Sequence, residues 1–237
     1  MFVLLAGFAA GCLSGVIGTG SSIMLLPVLV HTFGPKQAVP VMAIAAVMAN
    51  LSRVMAWWRE VNWRAVAAYA VTGVPAAALG ARTLLLLPAH IVEICLGIFF
   101  LAMIPLRHLL ARLQWKAGLW HLAVAGAVIG FLTGLVLSTG PLSVPVFLAH
   151  GLLKGAFLAT EAASSLLIYL SKALTFREFG ALPAEVLLQG LIVGASLMAG
   201  TFAGKALVLR LSAAAHGHVL DGLLLCSGLA LLWTALA

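Results

Sequence analysis

The sequence predicts an all-α polytopic membrane protein made of two homologous helical repeats, residues 1–117 and 118–237, together forming one membrane domain. Three observations predict it. Of the 237 residues, 64% are hydrophobic and 8% are charged, where a soluble domain carries about 25% charged residues. The apolar residues gather into eight long runs. Two of those runs, one opening each half, are too long for a single crossing and share a pattern of Gly, Thr and Pro.

The composition excludes other classes. A soluble fold could not cover so much apolar surface with so few charges. Disorder, a coiled coil and a secreted disulfide scaffold fail on the same count. The net charge of +7 does not indicate nucleic acid, because the 13 basic residues lie singly or in small groups between apolar runs with no contiguous basic face. Lipid head groups suit them better. Cys12, Cys95 and Cys226 stand inside apolar runs without CxxC spacing and read as small buried hydrophobes. No Lys or Arg precedes Lys36, so the N-terminus does not read as a cleavable signal.

The runs are 1–33, 38–57, 64–88, 90–106, 118–150, 155–174, 184–209 and 217–237. Most suit one helix of about 20 residues across a ~30 Å hydrocarbon core. Runs 1–33 and 118–150 would each be about 50 Å long as single helices. Both are interrupted, by Gly18-Thr19-Gly20-Ser21-Ser22 and by Ser138-Thr139-Gly140-Pro141. Bare backbone is not tolerated in lipid, so each run is expected to fold as two shorter helices joined at a polar break, a broken or re-entrant hairpin.

The breaks expose the repeat. Gly11 and Gly15 align with Gly130 and Gly134, and Thr19-Gly20 with Thr139-Gly140. Pro27-Val28 and His31 align with Pro145-Val146 and His150, Lys36 with Lys154, Ser52-Arg53 with Ser171-Lys172, and Arg59-Glu60 with Arg177-Glu178. The offset stays at 118–120 residues. Duplication with matched interruptions is the pattern of secondary transporters. Inverted halves place Arg53, Arg59, Arg64, Arg107, Arg112, Lys116, Lys154, Lys205 and Arg210 on one side, nine of 13 basic residues, against eight for parallel halves. The positive-inside rule favours inversion. Trp57, Trp58, Trp63, Trp115 and Trp120 flank the most basic connections and read as interfacial anchors.

Helix N-termini at the breaks would present unpaired N–H groups, and Gly lets backbone approach a ligand. Thr19, Gly20, Ser21 and Ser22, with Ser138, Thr139 and Gly140, are therefore the candidate substrate-binding set, joined by Asn50 and Ser164 on the following helices. The competing reading is tight helix packing, which suits Gly7, Gly11 and Gly15. Glu161 is the one carboxylate deep in an apolar run. At helical spacing it shares a face with Ser164, Ser165, Ile168 and Lys172. An ionisable group there is a functional hypothesis by default. It reads either as a proton carrier or as a structural glutamic acid held by hydroxyls, with no clear partner. Lys172 and Arg53 join it as candidate coupling or pathway residues, although Arg53, near a run boundary, is expected to snorkel to the interface. Glu93 and Asp221 read as helix-start caps. His31 and His150 read as structural. No metal-ligand spacing, P-loop or nucleophile elbow occurs, so no cofactor, metal or enzymatic activity is expected.

The order Gly11-Cys-Leu-Ser-Gly-Val-Ile-Gly-Thr-Gly-Ser-Ser then Lys36-Gln-Ala, repeated as Gly130-Phe-Leu-Thr-Gly-Leu-Val-Leu-Ser-Thr-Gly-Pro then Lys154-Gly-Ala, resembles the sulfite exporter TauE/SafE family, also called the 4-toluene sulfonate uptake permeases. The resemblance spans essentially the whole chain. It implies a multi-pass carrier of sulfite, sulfonates or related small anions in the cell inner (plasma) membrane, with substrate at the two Gly-rich breaks. The chain departs from the family pattern at Glu161 and at Met42-Ala43. The expected function is a secondary transporter of a small sulfur-containing anion, coupled to protons or another ion. Its partners are the anion and membrane lipid, a homodimer being compatible with the reading. A passive anion channel, a non-transporting scaffold subunit and a membrane-embedded enzyme are the alternatives.

Overall fold

The computed structural model describes residues 2–17, 21–112, 116–136, 140–208 and 213–236. Among them the chain forms ten α-helices. The first long run gives α1 (Phe2–Ile17) and α2 (Ser21–Phe33), followed by α3 (Pro35–Trp57), a 3₁₀ turn at Trp58–Glu60, α4 (Trp63–Leu86) and α5 (Ala89–Arg112). The second long run gives α6 (Leu119–Val136) and α7 (Gly140–Ala149), followed by α8 (Lys154–Glu178), α9 (Ala184–Val208) and α10 (Ala213–Leu236). Five of these, α3, α4, α6, α8 and α9, contain stretches long and apolar enough to cross a membrane. Each over-long run gives two described helices, and Gly18-Thr19-Gly20 and Ser138-Thr139 lie outside the described residues.

Local chemistry sets several boundaries. Gly34, at φ +76°, turns the chain between α2 and α3, and Pro35 opens α3, where a missing N–H costs nothing. The Asn62 side chain caps α4 by accepting from the Ala65 N–H at 3.2 Å. The Glu60 carboxylate lies against Gly155 in the first turn of α8, at the end of a helix that favours negative charge.

Helix directions follow from glycine contacts. Gly126, Gly130 and Gly134 of α6 lie on Tyr69, Gly73 and Ala77 of α4, so these helices run parallel. Gly7 lies on Val193 and Ser196, and Gly11 on Leu197, so α1 runs parallel to α9. Gly190 and Gly194 meet Ile44 and Met48, so α3 also runs with α9. The α6–α7 hairpin closes on itself: the Ala117 N–H donates to the Ala149 carbonyl at 2.9 Å, and His150 Nδ1 contacts the Ala117 carbonyl at 2.7 Å. That hairpin enters from the face where α3 ends and α4 and α8 begin. The α1–α2 hairpin enters from the other face, where α3 and α9 begin. The first face carries exposed Trp58, Trp63 and Trp120, with Arg59 stacked on Trp58 at 5.4 Å, as interfacial anchors should be. It is called the tryptophan face below.

The packing pairs have a regularity. The α4–α6 contact is matched by α9–α1, α3–α9 by α8–α4, and α5–α7 by α10–α2, while α3–α8 and α5–α10 map onto themselves. Exchanging α1–α5 with α6–α10 leaves these pairs unchanged. Each hairpin is thus seated on a helix from the other half of the chain.

Three expectations are corrected. Cys226 is exposed, and Cys12 and Cys95 are half-buried. Glu93 lies beyond the first turn of α5. Asp221 lies well inside α10 and meets His108 Nε2 at 3.4 Å, so neither acid is a cap.

A Cβ at Gly126, Gly130 or Gly134 would collide with backbone carbonyls of α4. Gly130→Leu should therefore cost about 1–3 kcal/mol through forced separation of the helices. In thermal unfolding of the detergent-solubilised protein it should lower the Tm. Gly222→Leu, at a position with nothing within 4 Å, should leave the Tm nearly unchanged.

Candidate functional site

The predicted polar stripe on α8 faces inward. Glu161 and Ile168 are buried, Ser164 and Lys172 fully so, and Ser165 is half-buried. Around Glu161 the helices converge. Its Oε2 accepts from Arg53 Nη1 of α3 at 3.2 Å. Its Oε1 accepts from Ser143 Oγ of α7 at 3.2 Å and from Ser165 Oγ at 2.8 Å. The expectation that Glu161 lacks a partner is wrong: it holds three donors from three helices.

Arg53 also departs from expectation. It is 8% exposed and turns inward, because a carboxylate on the facing helix offsets the desolvation that snorkelling would avoid. Asn50, one turn earlier on α3, accepts from Arg53 Nη2 through Oδ1 and donates from Nδ2 to the Ala46 carbonyl at 2.8 Å. Asn50 is therefore the residue that orients the guanidinium. Arg53 Nε is buried and meets no acceptor. An unmet buried donor costs about 1–3 kcal/mol, and this one lies on the free edge of a charged group.

At about 1.5 Å per residue, Arg53 stands ~6 Å from the end of α3 and Glu161 ~10 Å into α8. Both residues of the ion pair lie in the half of their helix nearer the tryptophan face. Tyr69 and Tyr169, both buried, lie within electrostatic reach of Glu161. The Tyr69 ring tilts against Phe147 of α7 at 5.1 Å. Tyr169 hydrogen-bonds Ser22, which brings the start of α2 to the same helix.

Of the sequence-predicted residues, Ser21 and Ser22 are buried at the start of α2, and Gly140 opens α7. Thr19, Gly20, Ser138 and Thr139 lie outside the described residues. Ser164 donates its hydroxyl to the Thr160 carbonyl at 2.8 Å, so it serves its own helix. Lys172 lies eleven residues beyond Glu161, ~16 Å along α8, and donates to the Thr133 carbonyl at 2.8 Å. Sequence reasoning left Ser143 and Ser165 out of the site proper. The four-residue spacing of Ser165 from Glu161 was the available signal. The Arg53–Glu161 contact, spanning 108 residues, had none. Among the described residues no cluster of His, Cys, Asp or Glu could hold a metal ion.

The family model of the sulfite exporter TauE/SafE matches residues 3–231 of the 237. The chain belongs to this family. It is a multi-pass membrane protein of the transporter class that the family name describes. No curated protein and no solved structure matches it.

Removing one partner of a buried ion pair strands the other charge, at a cost of about 3–5 kcal/mol. Arg53→Met and Glu161→Met should each destabilise the sulfite exporter family member strongly. The double variant should recover most of the loss. Unfolding midpoints in detergent decide it: a double variant as unstable as both single changes summed would show that the two residues do not act as a pair.

Proposed function

We propose that this TauE/SafE member is a secondary carrier of a small sulfur-containing anion such as sulfite or an organosulfonate, with Arg53 as the cation that receives it. The observation that carries the reading is the buried guanidinium with one edge committed to Glu161 and Asn50 and its Nε–H uncommitted. An oxyanion presents several acceptors, and a planar fork of N–H donors matches it. Glu161 is then the internal counter-ion. In the absence of substrate it neutralises Arg53, with Ser143 and Ser165 holding its other oxygen. A proton arriving on Glu161 cancels that attraction and frees the guanidinium for the anion, which couples the two movements.

The tie between α3, α7 and α8 near the tryptophan face acts as a closed gate. This favours a carrier over a passive channel, which would need a continuous path. The Gly-rich interruptions read from the sequence, Gly18–Ser22 and Ser138–Pro141, complete the substrate path in this reading, and the halves 1–117 and 118–237 act as inverted, duplicated repeats that rock about α3 and α8. The tryptophan face, with its excess of Arg and Lys, is cytoplasmic in the inner membrane.

The test is transport in proteoliposomes. Arg53→Gln should weaken anion binding about 10- to 100-fold, the loss expected for a charge-assisted hydrogen bond. Glu161→Gln should bind the anion at least as well as the parent, while its uptake loses dependence on pH. A Glu161→Gln carrier with the parental pH profile would remove Glu161 from coupling. A protein whose Tm is indifferent to sulfite, thiosulfate, sulfoacetate and sulfate would remove anion carriage altogether.

A further inference from the structure

Away from the Arg53 cluster, α8 holds a second buried basic side chain. Lys172 is fully buried, and its ammonium has three N–H donors. One of them reaches the Thr133 carbonyl near the end of α6 at 2.8 Å. Its other contact is with the ring of Phe176, 5.4 Å from the ring centre. Among the described residues no carboxylate pairs with it. Taking an ammonium out of water without a counter-charge is costly, more so within a membrane helix. Arg53 meets that cost with Glu161. At Lys172 the protein supplies a carbonyl dipole and an aromatic face, which together satisfy only part of the charge.

Phe176 also lines a cavity. It occupies about 300 Å³ on the face opposite the tryptophans, between the start of α3, the end of α4, the start of α5, and the α8–α9 connection. Leu84, Val92, Phe176 and Pro183 form walls, and Lys36 and Gln37 contribute polar groups. Lys36 and Gln37 are exposed, which puts them at the mouth. No acidic residue lines the cavity. Its basic side chain at the opening is Lys36, and part of its wall is Phe176, the ring that Lys172 Nζ faces.

We propose that Lys172 is a second oxyanion site, filled through this cavity when the Phe176 ring swings aside. The inference rests on the reading of the protein as an anion carrier and deepens it. An anion attracted at Lys36 crosses the apolar cavity, pairs with Lys172, and from there lies ~16 Å along α8 from the Arg53 site. Phe176 serves as the inner door: while closed, it covers the ammonium with its negative face. The two sites differ in one respect. Arg53 has an internal competitor in Glu161, so its occupancy depends on that carboxyl. Lys172 has none, so it admits an anion whatever the state of Glu161.

Equilibrium binding of radiolabelled sulfite and thiosulfate to the purified full chain tests this. The parent should bind two anions per chain. Lys172→Gln should bind one, Lys172→Arg should retain two, and Arg53→Gln should lose the other site while keeping that at Lys172. Ala181→Trp fills the cavity from its wall without touching Lys172. It should slow the filling of one of the two sites by about tenfold or more, and this holds as a check should Lys172→Gln fail to fold. Unchanged stoichiometry in Lys172→Gln, or unchanged filling in Ala181→Trp, overturns the second site and leaves the carrier reading intact. A parent that binds one anion, lost on Arg53→Gln alone, does the same. A parent that binds none overturns both.

Discussion

Contact of backbone on backbone between α4 and α6, and between α1 and α9, is the constraint on which the rest of this structure depends. Lipid tails are as apolar as leucine, so helices in a bilayer gain little by hiding hydrophobic side chains from it. What holds them is close van der Waals packing, and small residues permit it. Gly126, Gly130 and Gly134 leave no room for a Cβ against α4, and Gly11 and Gly200 leave none between α1 and α9. Ser196 and Thr201 of α9 then donate to the carbonyls of Leu4 and Gly11. The glycine rows fix where each hairpin lies, and so fix how far Ser143 and Ser22 reach toward α8.

The polar interior follows from that placement. A carboxylate at Glu161 is tolerable because α3 brings Arg53, α7 brings Ser143 and α8 itself brings Ser165. The charged donor comes with its own support: Arg53 is steadied by Asn50, and Asn50 by the Ala46 carbonyl. A cluster assembled from separate helices responds when any one of them shifts. The Arg53–Glu161 pair thus fastens α3 to α8. Ser143, three residues into α7 after Gly140, links the hairpin to that pair.

The helical architecture was legible because bilayer physics leaves few options. A largely apolar run of 33 residues with a Gly-Thr-Gly interruption is expected to become two helices, and each long run gives two described helices. The inward face of α8 was legible too, since Glu161, Ser165, Ile168 and Lys172 recur at helical spacing. Arg53 was misread for a physical reason. Its position, four residues before Trp57, is where a long basic side chain reaches the interface, and only the packing of α3 on α8 supplies the partner that reverses this. Asp221 was misread because α10 begins at Ala213, earlier than its apolar run suggested. Local pattern carries the elements, and contacts between distant helices carry the site.

The crossing of hairpins between halves has a consequence for how the chain is made. During synthesis at about 5–20 residues per second, α6 emerges a few seconds or more after α4, and their glycine rows can close at once. For α1 the partner is α9, whose first residue lies 167 positions beyond the end of α1. The first hairpin must therefore wait in the bilayer for roughly 8–33 seconds at that rate. Throughout that time its glycine face meets lipid or a chaperone. The glycine row of α1 thus waits far longer for its partner than that of α6, which meets an α4 already made.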